Sequence, residues 1–401
     1  MLKTATKSNY FLSQPHQPFF ILGIVNSIVM MLIFALSYKG IFTLTTESLN
    51  FHTYSLIFLV FTNMFTGFLF TTFPQFCQSD TISQKYYTNI FYLSLFGSII
   101  YLTGAFLNHY LLILGMIISF LSHLFTVIKL ANIHKVGKTV EKSDPYWIVV
   151  AQYFGIISHT LFIWLEFNRY INFYLDYTST AINFAFYLYL ILLGFSVAQR
   201  MIPFFSHSFA PKDKRFVKIV FVMLVIKVSL VTVGFKLEEM VVDIMLGLYL
   251  TREFLRWKLD ILNAPAILWV LHLALLWLPV SFFLSAISLG TELILENSFY
   301  FFNLHLLAIG FLTTLLIGFG TRVTLGHSGQ APHADKFAIG IFIFIQLVVL
   351  LRALFSLNVA FSWDMNFLFD ISFTTWLLLF ILWGARYGKV LIFGKKTGLT
   401  K

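Results

Sequence analysis

The chain has 401 residues, of which 59% are hydrophobic and only 11% are charged, a balance far from that of ordinary soluble domains. Together with the mean hydropathy of +0.84, this composition indicates a polytopic membrane protein and excludes a soluble enzyme or binding module. The net charge of +10 does not indicate a nucleic-acid partner, because the basic residues are spread over alternate loops instead of one motif. The predicted surroundings are a lipid bilayer.

Windows of about 20 apolar residues, the length that a helix needs to cross a bilayer, recur along the whole chain. The runs are continuously apolar, which favours helices over the alternating strands of a transmembrane barrel. Because the connections are short, the sequence predicts an all-α helical bundle of about twelve spans and a single integral membrane domain over residues 1–401. The predicted spans begin near Phe19, His52, Tyr86, His109, Trp147, Asn172, Phe216, Met240, Ala264, Ser298, Phe337 and Asn366.

The loop charges predict the orientation of the bundle, since basic loops stay in the cytoplasm. With the N-terminus assigned to the cytoplasm, the loops on that side carry Lys129, Lys135, Lys138, Lys142, Arg200, Lys212, Lys214, Arg215, Arg252, Arg256, Lys258, Arg386, Lys389, Lys395, Lys396 and Lys401. The opposite loops carry only four basic residues, Lys39, Arg169, Lys236 and Arg352, and five acidic ones, Glu47, Glu238, Glu239, Glu292 and Glu296. Both termini are therefore predicted to be cytoplasmic. The first apolar run, residues 19–38, lacks a small-residue cleavage pattern, so no cleavable signal peptide is expected.

Four of the eleven histidines, His123, His159, His272 and His305, lie inside apolar windows, where an ionisable side chain is a functional candidate. At about 1.5 Å of rise per residue, His159 and His305 both lie roughly 10 Å below the outer edge, the matched level that two histidine ligands of one haem on facing helices would need. His123 and His272 form a second layer, roughly 10–12 Å from the cytoplasmic edge. The alternative for each is a hydrogen bond to a neighbouring helix. The single cysteine, Cys77, leaves nitrogen, oxygen or thioether ligands for any metal.

Helical spacing predicts which residues share a face with these histidines. Gln152, Gly155 and His159 fall on one face of the fifth span. Another predicted face, on the second span, holds His52, Asn63, Thr66 and Gly67. Small-residue stripes beside His123 and on the His305 helix favour close helix packing, and they comprise Gly115, Ser119, Ser122, Thr126, Gly310, Thr314 and Gly318. The helices that carry histidine are predicted to be interior helices.

Four segments of the chain carry distinctive motifs. The strongest follows the His305 helix and consists of Thr321, Arg322, Val323, Leu325, Gly326, His327 and Gly329. A second runs through Arg200, Met201, Ile202, Pro203, Phe204 and Phe205, and a third through Leu268, Trp269, His272, Trp277, Leu278 and Pro279. The fourth comprises Pro18, Phe19, Phe20, Gly67, Phe68, Leu69, Thr71 and Pro74. Together these segments resemble the NnrS family of haem- and copper-containing bacterial membrane proteins associated with nitric oxide.

The resemblance implies haem b as a cofactor and admits copper, with nitric oxide or its metal adducts as further partners. It also implies a multi-pass protein of the bacterial inner membrane that serves denitrification or the nitrosative-stress response. The metal ligands expected from it and from depth are His52, His272, His305 and His327, with His159 as a haem ligand beside His305 and His272.

Arg200 and Arg322 are expected at cytoplasmic helix ends. There their guanidinium groups could bind haem propionates, or could serve only as positive-inside anchors. One departure from the family concerns its HAHEM motif, because this chain has His52, Thr53, Tyr54, Ser55 and Leu56 at those positions. The copper site that this motif would supply cannot be transferred to this chain.

Two other functions remain open. A secondary transporter could use a midplane site lined by histidine and Lys227, with the lysine binding an anion, although the sequence shows no convincing internal repeat. Lys227 has no carboxylate at helical spacing on its own span, so its other interpretation is a snorkelling side chain. A terminal-oxidase-like enzyme is disfavoured because the sequence has no adjacent pair of histidines.

Overall fold

The computed structural model describes residues 10–171, 177–208, 210, 213–259, 263–295 and 297–394. Within these ranges the chain is almost entirely helical and contains no strand, which confirms the predicted all-α class. Six residues used in the predictions lie outside the described residues, namely Asn172, Lys212, Glu296, Lys395, Lys396 and Lys401.

Twelve long helices, α1 to α12, follow one another in the described part of the chain after a short 3₁₀ turn at Tyr10–Leu12. They are α1 His16–Tyr38, α2 Ser48–Phe76, α3 Gln84–Leu107, α4 His109–Val136, α5 Ser143–Tyr170, α6 Thr178–Phe205, α7 Phe216–Val233, α8 Lys236–Arg256, α9 Ala266–Leu295, α10 Tyr300–His327, α11 Lys336–Phe361 and α12 Phe367–Phe393. Eleven of them are long and apolar enough to cross a membrane. The exception is α8, which carries acidic residues in its first turn and a basic residue in its last. The protein is a multi-pass membrane protein.

Three helices form the centre of the bundle. The most apolar stretches of α2 and α6 are 94% buried and that of α10 is 72% buried, the highest values among the described helices. Each of the three contains a π-helical segment, at Ser55–Phe61, Phe184–Ile191 and Leu306–Thr313. The hydroxyl groups of Thr62 and Thr313 each bond to the carbonyl oxygen five residues earlier, which satisfies acceptors in the widened turns. Such segments are uncommon and often lie at functional sites.

The twelve helices form three groups of four consecutive helices, α1–α4, α5–α8 and α9–α12, and each group contributes one helix to this centre. In each group the first helix packs along the second, as α1 does on α2, α5 on α6 and α9 on α10. The last helix of each group then packs on the first helix of the next, and α12 closes the ring on α1. The π segments of the inner helices α2, α6 and α10 meet around the middle. The helix packing therefore repeats three times, although the sequence showed no repeat.

The predicted small-residue stripes lie at helix contacts. A Cβ atom on Gly115 would come within 2.2 Å of the Tyr101 backbone on α3, and one on Gly310 would come within 2.7 Å of the Trp277 ring on α9. A larger side chain at either position would push the two helices apart. The close approach that the stripes predicted is confirmed.

Candidate metal centre

His52 on α2 and His305 on α10 come together at the end of the bundle where α10 begins, here called the His305 end. Their ring centres are 6.2 Å apart and their planes are inclined by 19°. The His52 ring also packs on Phe34 of α1, with 4.2 Å between the ring centres. Two histidines that are distant in sequence therefore share one site between inner helices.

Hydrogen bonds fix the orientation of the His305 ring. Its Nδ1 lies 2.6 Å from the carbonyl oxygen of Phe301, which can only accept, so this nitrogen carries the hydrogen. Its Nε2 then accepts a hydrogen bond from an Arg352 guanidinium nitrogen at 3.1 Å. The Nε2 lone pair of His305 is thus presented towards Arg352. Across the site, Nδ1 of His52 is buried and has no hydrogen-bond partner among the described residues.

Arg352 on α11 is a site residue that the sequence did not reveal, because its position in the sequence predicts only one of the few basic residues of the outer loops. Its guanidinium group bonds to Ser356 and His305 and lies 5.1 Å from the centre of the Phe355 ring. Among the described residues, no Asp or Glu lies within ion-pair distance of it. A cation inside an apolar span without a carboxylate partner is suited to bind an anion.

A cavity adjoins the two histidines and Arg352. It offers about 90 Å³ of space to water-sized molecules, and a neighbouring cavity of about 90 Å³ shares the same three residues. Most of the lining is apolar and comes from α2, α6 and α10, with Trp376 of α12 closing one side.

The π-helical segments lie directly beside this site. On α2 the segment begins three residues after His52, and on α10 it begins at the residue after His305. One extra residue in a turn rotates all later residues by about 100° relative to a regular helix. The predicted face that joined His52 to Asn63 and Gly67 assumed regular helical spacing, which the structure does not have between them. Gly67 contacts Phe19 and the backbone of His16, whereas His52 contacts Phe34 and His305.

Comparison with known families agrees with this architecture. The family model described as NnrS protein matches residues 10–393 of the chain. The chain belongs to the NnrS family. No curated protein matches it.

In this NnrS family protein, His159 is not the partner of His305, contrary to the prediction from depth. Its Nε2 lies 2.8 Å from the Tyr54 hydroxyl, and its Nδ1 lies 3.5 Å from Nδ1 of His123. The ring of Phe58 stacks on it with 4.0 Å between centres. The position of His159 along its span predicts its level in the bilayer but not its direction, and the side chain points towards α4 and α2 instead of α10.

The predicted face of α5 is confirmed, because all three of its residues face His123 of α4. Gln152 bonds to His123 Nε2 at 3.1 Å, and His159 meets its Nδ1. A Cβ atom on Gly155 would lie 2.8 Å from Cε1 of the same ring. The predicted layer of His123 with His272 does not form, since His272 Nε2 bonds at 2.7 Å to Ser206, which follows α6.

Arg200 is already paired with a carboxylate. Its guanidinium group bonds to Asp144 at 3.1 Å and lies 4.7 Å from the centre of the Phe76 ring. The other Asp144 oxygen accepts from Gln199 at 2.9 Å. Because its charge is balanced within the protein, Arg200 is a poor site for a propionate.

Arg322 and His327 lie at the opposite end of α10, here called the His327 end. Arg322 stacks on Phe205 with 3.8 Å from its guanidinium carbon to the ring centre, and His327 lies 5.1 Å, between ring centres, from His16 of α1. About five turns of α10 separate Arg322 from His305, which is roughly 25 Å. One haem held by His305 therefore cannot reach Arg322 or His327.

The structure also gives Lys227 of α7 its partners. Its ammonium group bonds at 2.7 Å to both Glu239 and Asp243 of α8, and Asp243 accepts a further bond from Ser285 of α9 at 2.6 Å. Helical spacing reveals only carboxylates on the same helix as Lys227, whereas Glu239 and Asp243 lie on the next helix. Lys227 is neither a snorkelling side chain nor a free cation for an anionic substrate, which removes the main support for the transporter alternative.

Proposed function

We propose that this protein binds haem b at the His305 end, between His52 and His305, and that it acts in the response to nitric oxide in the inner membrane of a bacterium. One observation carries the proposal: two histidines of the inner helices face each other beside an arginine that has no carboxylate partner among the described residues. Membership of the NnrS family agrees with it.

The residues suit a haem in three respects. The ring separation of 6.2 Å is close to that of two imidazoles on one six-coordinate iron, roughly 6 Å for metal–nitrogen bonds of about 2 Å. The bond from His305 Nδ1 to the Phe301 carbonyl is the kind of second contact that orients a metal-binding histidine. The lining of the cavity is mainly apolar, as the faces of the ring require, and Arg352 would bind a propionate.

Each residue then has a defined task. His52 and His305 would hold the iron, and the Phe301 carbonyl keeps the His305 lone pair on Nε2. Arg352 would exchange its bond to His305 for a bond to the carboxylate of the cofactor, and the apolar walls exclude water. The haem itself would supply an iron that binds diatomic ligands such as nitric oxide and changes its oxidation state.

The test is an optical spectrum of the full-length protein purified in detergent, recorded oxidised, reduced and after addition of nitric oxide, together with iron analysis. We expect a Soret band and reduced-state bands of a haem b that shift with nitric oxide. The His305→Ala variant should lose these bands while it remains in the membrane. Wild-type protein without haem, or an unchanged spectrum in His305→Ala, would reject the site.

A further inference from the structure

The six-residue motif at the end of α6, residues 200–205, has no task in the proposed haem function. Five of its residues line one cavity, namely Arg200, Met201, Pro203, Phe204 and Phe205. The rest of the lining comes mainly from the end of α2, the start of α5 and the segments that follow α6 and α8. The cavity offers about 620 Å³ to water-sized molecules, whereas the one beside His305 offers about 90 Å³. The larger volume is typical of a binding site for a small molecule.

The charged groups that line this cavity neutralise each other. A guanidinium nitrogen of Arg200 donates to Asp144 at 3.1 Å, and among the described residues these two are the only Arg, Lys, Asp or Glu of the lining. A ligand with a net charge would enter without a counter-charge, and a buried charge without one is costly. The cavity therefore favours a neutral ligand.

The amide group of Gln199 leaves a hydrogen-bond acceptor in the wall of the cavity. Its nitrogen donates to Asp144 at 2.9 Å, and because a carboxylate can only accept, this bond fixes which way the amide is turned. The amide oxygen is buried and has no hydrogen-bond partner among the described residues. Arg200 has five N–H groups and uses one nitrogen on Asp144. The polar part of the wall thus suits a ligand that both donates and accepts hydrogen bonds.

Aromatic rings form much of the remaining wall. Phe76, Phe205 and Trp257 border the cavity, which favours a flat ring as the ligand. The cavity lies at the His327 end, since Arg322 stacks on Phe205. Phe204 is 75% exposed at the end of a membrane-spanning helix, the level at which aromatic side chains border the lipid headgroups. A ligand dissolved in the bilayer can enter there.

We propose that this cavity binds the ring of a membrane quinol, a neutral molecule whose hydroxyl groups both donate and accept hydrogen bonds. One hydroxyl donates to the amide oxygen of Gln199, and the other accepts from Arg200. The aromatic wall holds the ring, and the apolar tail passes Phe204 into the bilayer. Binding does not depend on the haem at the His305 end.

The experiment uses the full-length protein in detergent with decylubiquinone and its reduced form, decylubiquinol, as probes. The quinone should quench the fluorescence of Trp257, a signal that Trp257→Phe identifies, and the quinol is measured by its competition with the quinone. Wild type should bind the quinol about 2- to 10-fold more tightly, because only the quinol can donate to Gln199. Gln199→Leu removes the acceptor and should abolish this preference.

A matched pair of variants on α2 tests the cavity without touching Gln199. Thr72 lines the cavity and Thr71 does not, and each hydroxyl bonds to the carbonyl oxygen four residues earlier. Thr72→Phe fills the space and should abolish binding of both probes, whereas Thr71→Phe should bind them as wild type does. His305→Ala should also bind as wild type does, so failure of the haem site leaves this result interpretable.

Three outcomes would overturn the proposal. They are the absence of saturable binding in wild type, equal affinity for quinone and quinol in wild type, and unchanged binding in Thr72→Phe. The same ring without its tail should bind more weakly than decylubiquinone, because it buries less apolar surface. Equal affinity for the ring alone would reject the bilayer as the source of the ligand.

Discussion

His305 and His159 were predicted at the same depth in the bilayer, yet their surroundings differ in almost every respect. His305 borders a cavity, faces His52 and accepts a bond from Arg352. The His159 ring is completely buried, with Tyr54 on one nitrogen and His123 on the other. The His305 site is here called the open site because a cavity borders it, and the His159 site is called the closed site because Tyr54, Phe58 and His123 enclose the ring. The local packing therefore determines what a buried histidine can bind, and depth alone does not.

The largest expected difference between the two sites is in haem content. His305→Ala should abolish haem binding, because it removes a ligand to the iron. His159→Ala should leave haem content unchanged, since its contacts are with α2 and α4 and not with the cavity. Haem and protein quantified in the same purified samples give the answer. Equal haem loss in both variants would instead support His159 and His305 as two ligands of one haem, as their matched depth predicts.

Arg352 should matter more for haem than Arg322 does. Arg352→Ala removes a charge-assisted hydrogen bond worth about 1.5–3 kcal/mol, so haem retention should weaken on the order of 10- to 100-fold. Arg352→Lys should recover only part of it, because lysine lacks the planar fork of donors. Transfer of haem to apomyoglobin measures the retention. Arg322→Ala is the control, and a larger effect there than at Arg352 would place the haem at the His327 end.

Tyr54→Phe should affect only the closed site. The change leaves His159 Nε2 without its 2.8 Å partner, and an unsatisfied buried group of this kind costs about 1–3 kcal/mol of folding free energy. We expect a lower melting temperature in detergent with the haem spectrum unchanged. Phe58→Leu changes packing at the same ring without removing a hydrogen bond and serves as the comparison. A changed Soret band in Tyr54→Phe would show that the two sites are coupled.

The smallest effect is expected at Asp335, which caps the start of α11 far from Arg352. Its carboxylate accepts from the backbone N–H of Ala338 at 2.8 Å and pairs with Arg386. Burial opposes ionisation, but the bonds from Ala338 and Arg386 outweigh it and hold the pKa of Asp335 below its ordinary value. The stability from this lowered pKa is present above the ordinary pKa of the carboxyl and is lost as the pH falls through the lowered value.

Asp335→Asn keeps an acceptor at the helix cap but loses the ion pair with Arg386, so it should cost about 0.2–1 kcal/mol near neutral pH with haem content unchanged, and the difference from wild type should shrink in acid. Melting temperatures of both proteins across a pH series measure it. Loss of haem in this variant would mean that the position of α11 along its axis controls the Arg352 site. The open site would then depend on contacts at the far end of α11 as well as on its own neighbours.

The sequence by itself determined the class of the protein and several local features. Apolar windows gave the helical spans because a bilayer requires continuous apolar helices. Four motifs gave the family, and regular spacing on α5 placed Gln152, Gly155 and His159 on one face. Where a helix stays regular, a period of 3.6 residues is enough to identify shared faces.

Only the tertiary structure decided which of these faces meet. The π segments of α2, α6 and α10 change the helical period within the inner helices. Residues on either side of such a segment therefore do not share the helix face that regular spacing predicts. Arg352 gained its place because α11 packs beside α10, and Lys227 gained carboxylates from α8. These contacts join side chains of different helices. The periodicity within one helix does not predict which other helix packs against it. Hydropathy fixes how deep a residue lies, while packing between helices fixes its neighbours, and the chemistry of both histidine pairs depends on those neighbours.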